Sequence, residues 1–296
     1  MRPKGLIRLL LTGCLLLLLS GCTFGATVDA LLTQPNMRGE QEQIYQALEN
    51  AVGNRITLQY PRSGDHLSAV MISDLDGDGQ DEAAVFYRKE SSLSTENALR
   101  LNLLDQADGT WMSVCDLPAE GAEVDRGFTA DIGGRQRLII GYSQVDQSDK
   151  ALVVYNYEGG TLAKSFTVSY SSFDVADLDG DDQSELLILK AAEGEHAAEA
   201  AVYVPDEQDH YARYSLTLQG KTTEYSQVLC GNTQGKQTAI YLDGIVGATT
   251  MQTEVLQFDG KKLSYLVPTG SDAVSTIRPT GWLTMDIDQD LSLIHI

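Results

Sequence analysis

The sequence predicts an all-β fold made of β-propeller-like repeats of about four strands per blade, preceded by a short N-terminal helix. Two independent periodicities and the residue composition support this. Acidic loops set between apolar β-type runs recur with Asp74, Asp131, Asp177, Asn232 and Asp286 in equivalent places, at steps of 57, 46, 55 and 54 residues. A second series of turns, Asp108-Gly109, Glu158-Gly159-Gly160, the neighbourhood of Glu207, and Asp259-Gly260, steps by 50, 49 and 52. Two features sharing one period of this length point to propeller or solenoid units, and each unit has room for four strands, as a propeller blade does. With 27 glycines, 7 prolines and 43% hydrophobic residues, the chain suits a folded, turn-rich β protein.

In chain order, Arg2, Lys4 and Arg8 precede an apolar run over residues 9–19. That run is too short to span a bilayer and has the size of a signal-peptide core. Residues 1–21 are therefore expected to be an export signal. The run ends in Leu19-Ser20-Gly21-Cys22, which resembles a bacterial lipobox. The resemblance implies cleavage before Cys22 and acylation of its thiol and amino group. Leu11-Thr12-Gly13-Cys14 fits the same pattern but would leave almost no apolar core behind Arg8. The alternative is a plain secretory signal with an incidental cysteine. Two or three acyl chains, at about 0.8 kcal/mol per buried methylene, hold a protein at a membrane. The expected location is extracytoplasmic, lipid-anchored to a bacterial membrane.

Residues 22–35 read as a tether, and 36–290 as a helix followed by an incomplete set of blades. Ile44, Tyr45, Leu48 and Val52 fall at helical spacing before the stop Gly53-Asn54, which predicts an amphipathic helix over 39–52 packing on its own domain. The strand-rich part begins at Ile56.

The strongest motif is Asp74-Leu75-Asp76-Gly77-Asp78-Gly79-Gln80-Asp81-Glu82. Carboxylates at Asp74, Asp76, Asp78 and Glu82, with the Gln80 carbonyl, make an oxygen cage at positions 1, 3, 5, 7 and 9. Calcium accepts six to eight oxygens with tolerant geometry, whereas magnesium demands a tight octahedron, so calcium is expected. Gly77 and Gly79 permit the tight bend. An EF-hand would need its bidentate Glu at position 12, where Val85 stands. Without a cation the carboxylates repel one another at about 1 kcal/mol per pair at 4 Å in water; the plainer alternative is a solvated acidic turn. The pattern returns at Asp177, Asp179, Asp181, Gln183 and Glu185, with Asp182 in place of the second glycine, a residue that tolerates the left-handed region. A partial third copy is Asp286, Asp288 and Asp290. Eroded copies at 130–135 and 231–236 replace acids with Gly, Gln, Arg or Lys and are expected to hold no metal.

These loops resemble the FG-GAP or VCBS-type repeats of the integrin alpha-subunit N-terminal propeller. The resemblance covers about 56–290 and is carried by the two complete loops; the Phe-Gly and Gly-Ala-Pro elements that name the repeat are not evident. It implies structural calcium between two strands of a blade, and no specific ligand.

The remaining features bound the function. Loss of three basic residues with the signal leaves 18 against 42 acidic ones, a net charge near −24. A nucleic-acid partner is not expected, because phosphate binding needs clustered Lys and Arg. Cys115 and Cys230 read as small core residues, with a disulfide as the alternative. His66, His196, His210 and His295 have no neighbouring nucleophile pattern, and no Gly-x-Ser-x-Gly elbow, His-Glu-x-x-His or phosphate loop occurs. No catalytic residue and no enzymatic activity are expected. Binding of an envelope protein or glycan, or scaffolding, is the expected role. The alternatives are a propeller enzyme acting on envelope polysaccharide and a structural or sensory accessory domain. Residues 291–296 match the in-frame translation of a transposase end used in sequencing libraries and are expected to be an artefact on a truncated frame.

Overall fold

The computed structural model describes residues 39–90, 99–144, 150–232, 238–266, 277–286 and 293–295. Two compact units are distinguished, residues 1–42 and 43–296; in the first, only 39–42 are described. The export signal, Cys22 and the tether lie outside the described residues.

The expected helix is present as α1, Glu40–Val52. Gly53 takes φ +96°, a left-handed stop that glycine allows without a Cβ clash. Ile44 and Leu48 are fully buried and cluster with Ala83, Val85, Tyr87, Leu104 and Trp111. The amphipathic stripe therefore covers one face of the first sheet.

Four antiparallel sheets follow, each cut from one nearly continuous stretch of chain. The first contains β1 (Ile56–Leu58), β2 (Val70–Ser73), β3 (Glu82–Lys89), β4 (Leu99–Ala107) and β5 (Thr110–Pro118). The second is β6 (Glu123–Asp131), β7 (Gln136–Ser143), β8 (Lys150–Glu158) and β9 (Thr161–Ser169), in that order. The third is β10 (Ser172–Ala176), β11 (Glu185–Lys190), β12 (Glu199–Pro205) and β13 (Tyr211–Thr217). The fourth is β14 (Glu224–Asn232), β15 (Thr238–Ile245), β16 (Thr250–Phe258) and β17 (Leu263–Tyr265), with β18 (Arg278–Pro279) added to β16. This meander of four strands, repeated four times, is the blade architecture read from the two periodicities.

The first sheet departs from the simple pattern. β1 pairs with Tyr87–Lys89 and β2 with Glu82–Val85, so two short strands share one edge of β3. The extra strand uses the stretch before the first acidic loop, which has no counterpart in the later repeats.

The strand that follows the acidic or eroded loop in each repeat is mostly apolar and buried on both faces. In β3 the six residues Glu82 to Tyr87 are all buried, and in β7 every residue from Arg137 to Ser143 is buried. Two-sided burial follows from packing between neighbouring sheets: Leu138, Ile140, Val153 and Tyr155 share a cluster with Ala84, Phe86, Leu101 and Leu103. Ile139, Leu152 and Val154 share another with Phe173, Leu186 and Ile188. Leu187, Leu189 and Val202 pack with Ile240, Leu242 and Leu256. At about 25 cal/mol per Å² of apolar surface, these stacked faces supply the main stabilisation.

Both series of turns appear where the sequence placed them. The acidic and eroded loops join the first and second strands of a repeat. The second series joins the third and fourth strands, and left-handed backbone occurs there at Asp108, Gly109, Gly159, Gly160, Asp209 and Gly260. Cys115 and Cys230 are unpaired thiols, packed against different clusters. Burial pushes the Cys230 thiol up to about 12, which leaves it an inert core group rather than a nucleophile.

β19 (Thr284–Asp286) pairs with β20 (Leu293–His295). Asp288 and Asp290, from the partial third loop, lie outside the described residues, as do 233–237 in the fourth repeat.

Candidate metal centres

The two complete acidic loops fold alike. In the first, Asp74 accepts the Gly77 N–H on Oδ1 (2.7 Å) and the Gly79 N–H on Oδ2 (3.0 Å). In the second, Asp177 accepts the Gly180 N–H on Oδ1 (2.7 Å) and the Asp182 N–H on Oδ2 (3.1 Å). The middle acids repeat the correspondence. Asp76 and Asp179 accept from Asp78 and Asp181, and these in turn accept from the Gln80 and Gln183 amides. Gly79 has φ +87° and Asp182 has φ +69°, so an aspartate occupies the left-handed position that glycine fills in the first loop.

Oxygens of Asp74, Asp76 and Asp78 converge within 4.8 Å of one another, as do oxygens of Asp177, Asp179 and Glu185. The two sets differ: Glu185 belongs to its trio, whereas Glu82 is outside the first, and Asp181 is outside the second. The Gln80 and Gln183 amide nitrogens are engaged within their own loops.

Glu82 and Glu185 carry the observation that favours a bound cation. Both are expelled from solvent, at 1% and 3% exposure. Each uses one oxygen to accept the N–H of the second loop residue, Glu82 Oε2 from Leu75 (2.6 Å) and Glu185 Oε2 from Leu178 (2.8 Å). The other oxygen of Glu82, Oε1, is buried with no hydrogen-bond partner. A buried carboxylate with a bare oxygen is costly unless a cation or a proton meets it. Burial, reinforced by the neighbouring aspartates, pushes both carboxyls up to about 7. Asp105, on β4 one step beyond the Ala83–Leu104 pair, adds a fifth acid near the first loop. It accepts the Tyr157 hydroxyl of the second sheet at 2.7 Å. The donor set is all oxygen and strongly anionic, which fits calcium.

A sign-reversing pH result follows. The glutamates' folded pKa lies above their ordinary value of 4.5, so the folded state binds their protons more tightly than the unfolded chain does. With chelator present, their contribution is most favourable below about pH 4.5 and is lost as pH rises through about 7. Glu82→Gln should therefore raise the melting temperature by a few °C in chelator at pH 8, about the effect of 1 kcal/mol. In saturating calcium the same substitution should lower it. Melting at pH 5 and pH 8, with and without calcium, checks both signs; equal shifts in all four conditions would contradict a cation site.

The second complete loop also touches a turn of the following sheet. A Cβ added at Gly260, in the β16–β17 turn, would lie 2.8 Å from Asp179 Oδ2.

The eroded loop of the second repeat is built on an arginine. Arg137 pairs across the strands with Ala130, the register place that Glu82 holds opposite Ser73 and Glu185 opposite Ala176. It is 1% exposed. Its Nε donates to the Ile132 carbonyl (2.9 Å), Nη1 to Asn156 Oδ1 (2.7 Å) and Nη2 to Asp209 Oδ1 (2.7 Å). Sequence reading missed Arg137, Asp209, Asn156, Asp105 and Tyr157 as parts of these sites. A usable signal was present: a charged residue stands directly before the buried apolar run in three repeats.

A separate cleft of about 600 Å³ lies along the second and third sheets, with Glu120, Tyr142, Lys150, Tyr170, Glu193 and His196 in its lining.

No family model matches the chain, and no curated protein matches it. Among solved structures it is similar to the exotype rhamnogalacturonan lyase YesX, with 14% identity over 73% of this chain and 57% of that one, at TM-score 0.35. A rhamnogalacturonan lyase of Bacillus licheniformis shows 16% identity over 75% and 49%, at TM-score 0.35. An exo-beta-1,3-galactanase candidate of Bifidobacterium bifidum s17 shows 14% identity over 73% and 76%, at TM-score 0.33. The chain thus spans about half the length of the two lyases. The expectation that the chain has no enzymatic activity is corrected to an open one: two rhamnogalacturonan lyases and an exo-beta-1,3-galactanase candidate are among the structures it resembles, and at these TM-scores they assign it no activity.

Proposed function

We propose that this is a lipid-anchored, extracytoplasmic protein of the FG-GAP or VCBS-like kind, in which two calcium ions brace β-propeller-like blades that present a ligand-binding surface at the bacterial envelope. The single observation that supports the metal is the buried, unpartnered Oε1 of Glu82 beside three converging aspartates. Calcium there neutralises a charge that burial otherwise penalises. Each set of ligands comes from one continuous loop, so the ion's role is to stiffen the loop. Dissociation constants of roughly 10⁻⁴–10⁻³ M, typical of extracellular modules, suit calcium outside the cell.

The ligand surface proposed is the cleft along the second and third sheets. Its mixture of cationic, anionic and hydroxyl side chains suits a hydroxyl-rich glycan better than an apolar ligand. The same cleft supports a second reading, turnover of an envelope polysaccharide, because Glu120 and Glu193 come to it from different segments of the chain. Release of reducing ends from the polysaccharide separates the two readings.

Calorimetric titration of the purified protein with calcium should give two equivalents from the complete loops, one lost in Asp74→Asn and the other in Asp177→Asn. Absence of calcium heat in the parent rejects the metal. Expressed in a bacterium, the full chain should partition into detergent, and Cys22→Ala should move it to the aqueous phase.

A further inference from the structure

We propose that Arg137 is a covalently attached cation, standing in the second repeat where calcium stands in the first and third. The inference rests on the calcium reading of those two loops, but its evidence is separate.

The first support is positional. Glu82, Arg137 and Glu185 hold one register place, opposite the residue that precedes the loop. The second is a reversal of polarity in the hydrogen bond to the loop. In the acidic loops the buried Glu accepts the N–H of Leu75 or Leu178. In the second repeat the corresponding loop residue is Ile132, and Arg137 donates to its carbonyl. All three loop residues are buried, so the same anchoring task is performed with opposite charge.

The third support is the disposition of the acids. The first loop gathers Asp74, Asp76 and Asp78, with Asp105 and Glu82 beside them. Among the described residues the loop of the second repeat lacks that cluster, and the acid paired with Arg137 comes from the turn of the next sheet. Asp209 holds φ +63° there and engages both oxygens, with Arg137 at 2.7 Å and Asn156 Nδ2 at 2.6 Å. Asn156 in turn accepts from Arg137 and occupies the place of Asp105, one step beyond the Leu138–Tyr155 pair. The acid beside the cation has thus become an amide where the cation is fixed, and an acid has been added on the neighbouring sheet. Gly133 keeps the loop close to that turn, since a Cβ would lie 2.8 Å from Pro205 Cγ.

The anchoring of the second repeat's own loop is therefore independent of metal, although Ile132 also bridges Ser184 of the third repeat's acidic loop. In chelator, Arg137→Gln should lower the melting temperature by roughly 5 to 10 °C, because it removes a buried guanidinium from a carboxylate that is itself only partly buried. Asp209→Asn should produce a similar loss. The double variant should melt close to either single one, because both remove one interaction. Adding 10 mM calcium should raise the parent and all three variants by the same increment. If Arg137→Gln fails to fold, Arg137→Lys, which keeps the charge without the planar fork, should fold with a smaller loss and still couple to Asp209→Asn. Additive losses, or calcium recovering the Arg137→Gln loss, would overturn the role given to Arg137. A parent that ignores calcium while the coupling persists would instead overturn the calcium reading of the other loops.

Discussion

Ten millimolar calcium should raise the melting temperature of the protein by about 10 °C over its value in chelator. The size follows from mass action. A site with a dissociation constant of about 10⁻⁴ M gains about 2.7 kcal/mol at a hundredfold excess, and one of about 10⁻³ M gains roughly half that. Two such sites give about 3 to 5 kcal/mol, and each kcal/mol moves the midpoint by about 2 to 4 °C in a domain this large. Magnesium at the same concentration should do much less, given its demand for a tight octahedron. Scanning calorimetry in chelator, magnesium and calcium reads the effect directly. A midpoint unmoved by calcium would leave the bare oxygen of Glu82 without its proposed partner.

Leu178→Ala should be the second large effect, because it strikes the core and the loop together. Leu178 is fully buried in the cluster shared by the third and fourth sheets, against residues such as Leu187, Leu189 and Ile240. Its own N–H is the donor that holds Glu185. Truncation to alanine at a buried leucine costs about 2 to 5 kcal/mol, which is a large fraction of a domain's net stability. The loss should be visible in urea titration with the slope unchanged. Calcium affinity at the second loop should fall as well, since the backbone that presents Asp177 and Asp179 is no longer pinned from below. A loss under about 1 kcal/mol would show that the site collapses around the gap, contrary to the packing described.

The parts legible in the sequence were those governed by local rules. Amphipathic spacing gave the helix, and Gly53 gave its end, which falls within a residue of the expected bounds. Period and turn chemistry gave the repeats, since Asp-Gly and Gly-Gly pairs punctuate β-type runs in a way few other architectures share. The acidic loops were legible because their oxygens are contributed within nine residues. What escaped was decided by partners distant in sequence. Arg137 looks like one more charge in Arg135-Gln136-Arg137, and only strand register with Ala130 and a turn some seventy residues on reveal it as buried. Glu82 reads as one more ligand of its loop, and only the β2–β3 pairing shows it buried with one oxygen accepting from the Leu75 N–H. The doubling of β1 and β2 on one edge of β3 could not be read from a strand of three residues.

The compactness of the acidic loops has a kinetic corollary. Because the candidate ligands of each loop sit within nine residues, bringing them together closes only a short length of chain, whose closure entropy is small, and loops of this length close in tens of nanoseconds. If calcium binds as proposed, its exchange should be set by shedding of its water and by local breathing, without opening of the stacked sheets. A protein so built would follow changes in ambient calcium almost as they happen, loosening and tightening at the loop rims while the apolar layers underneath keep their registry.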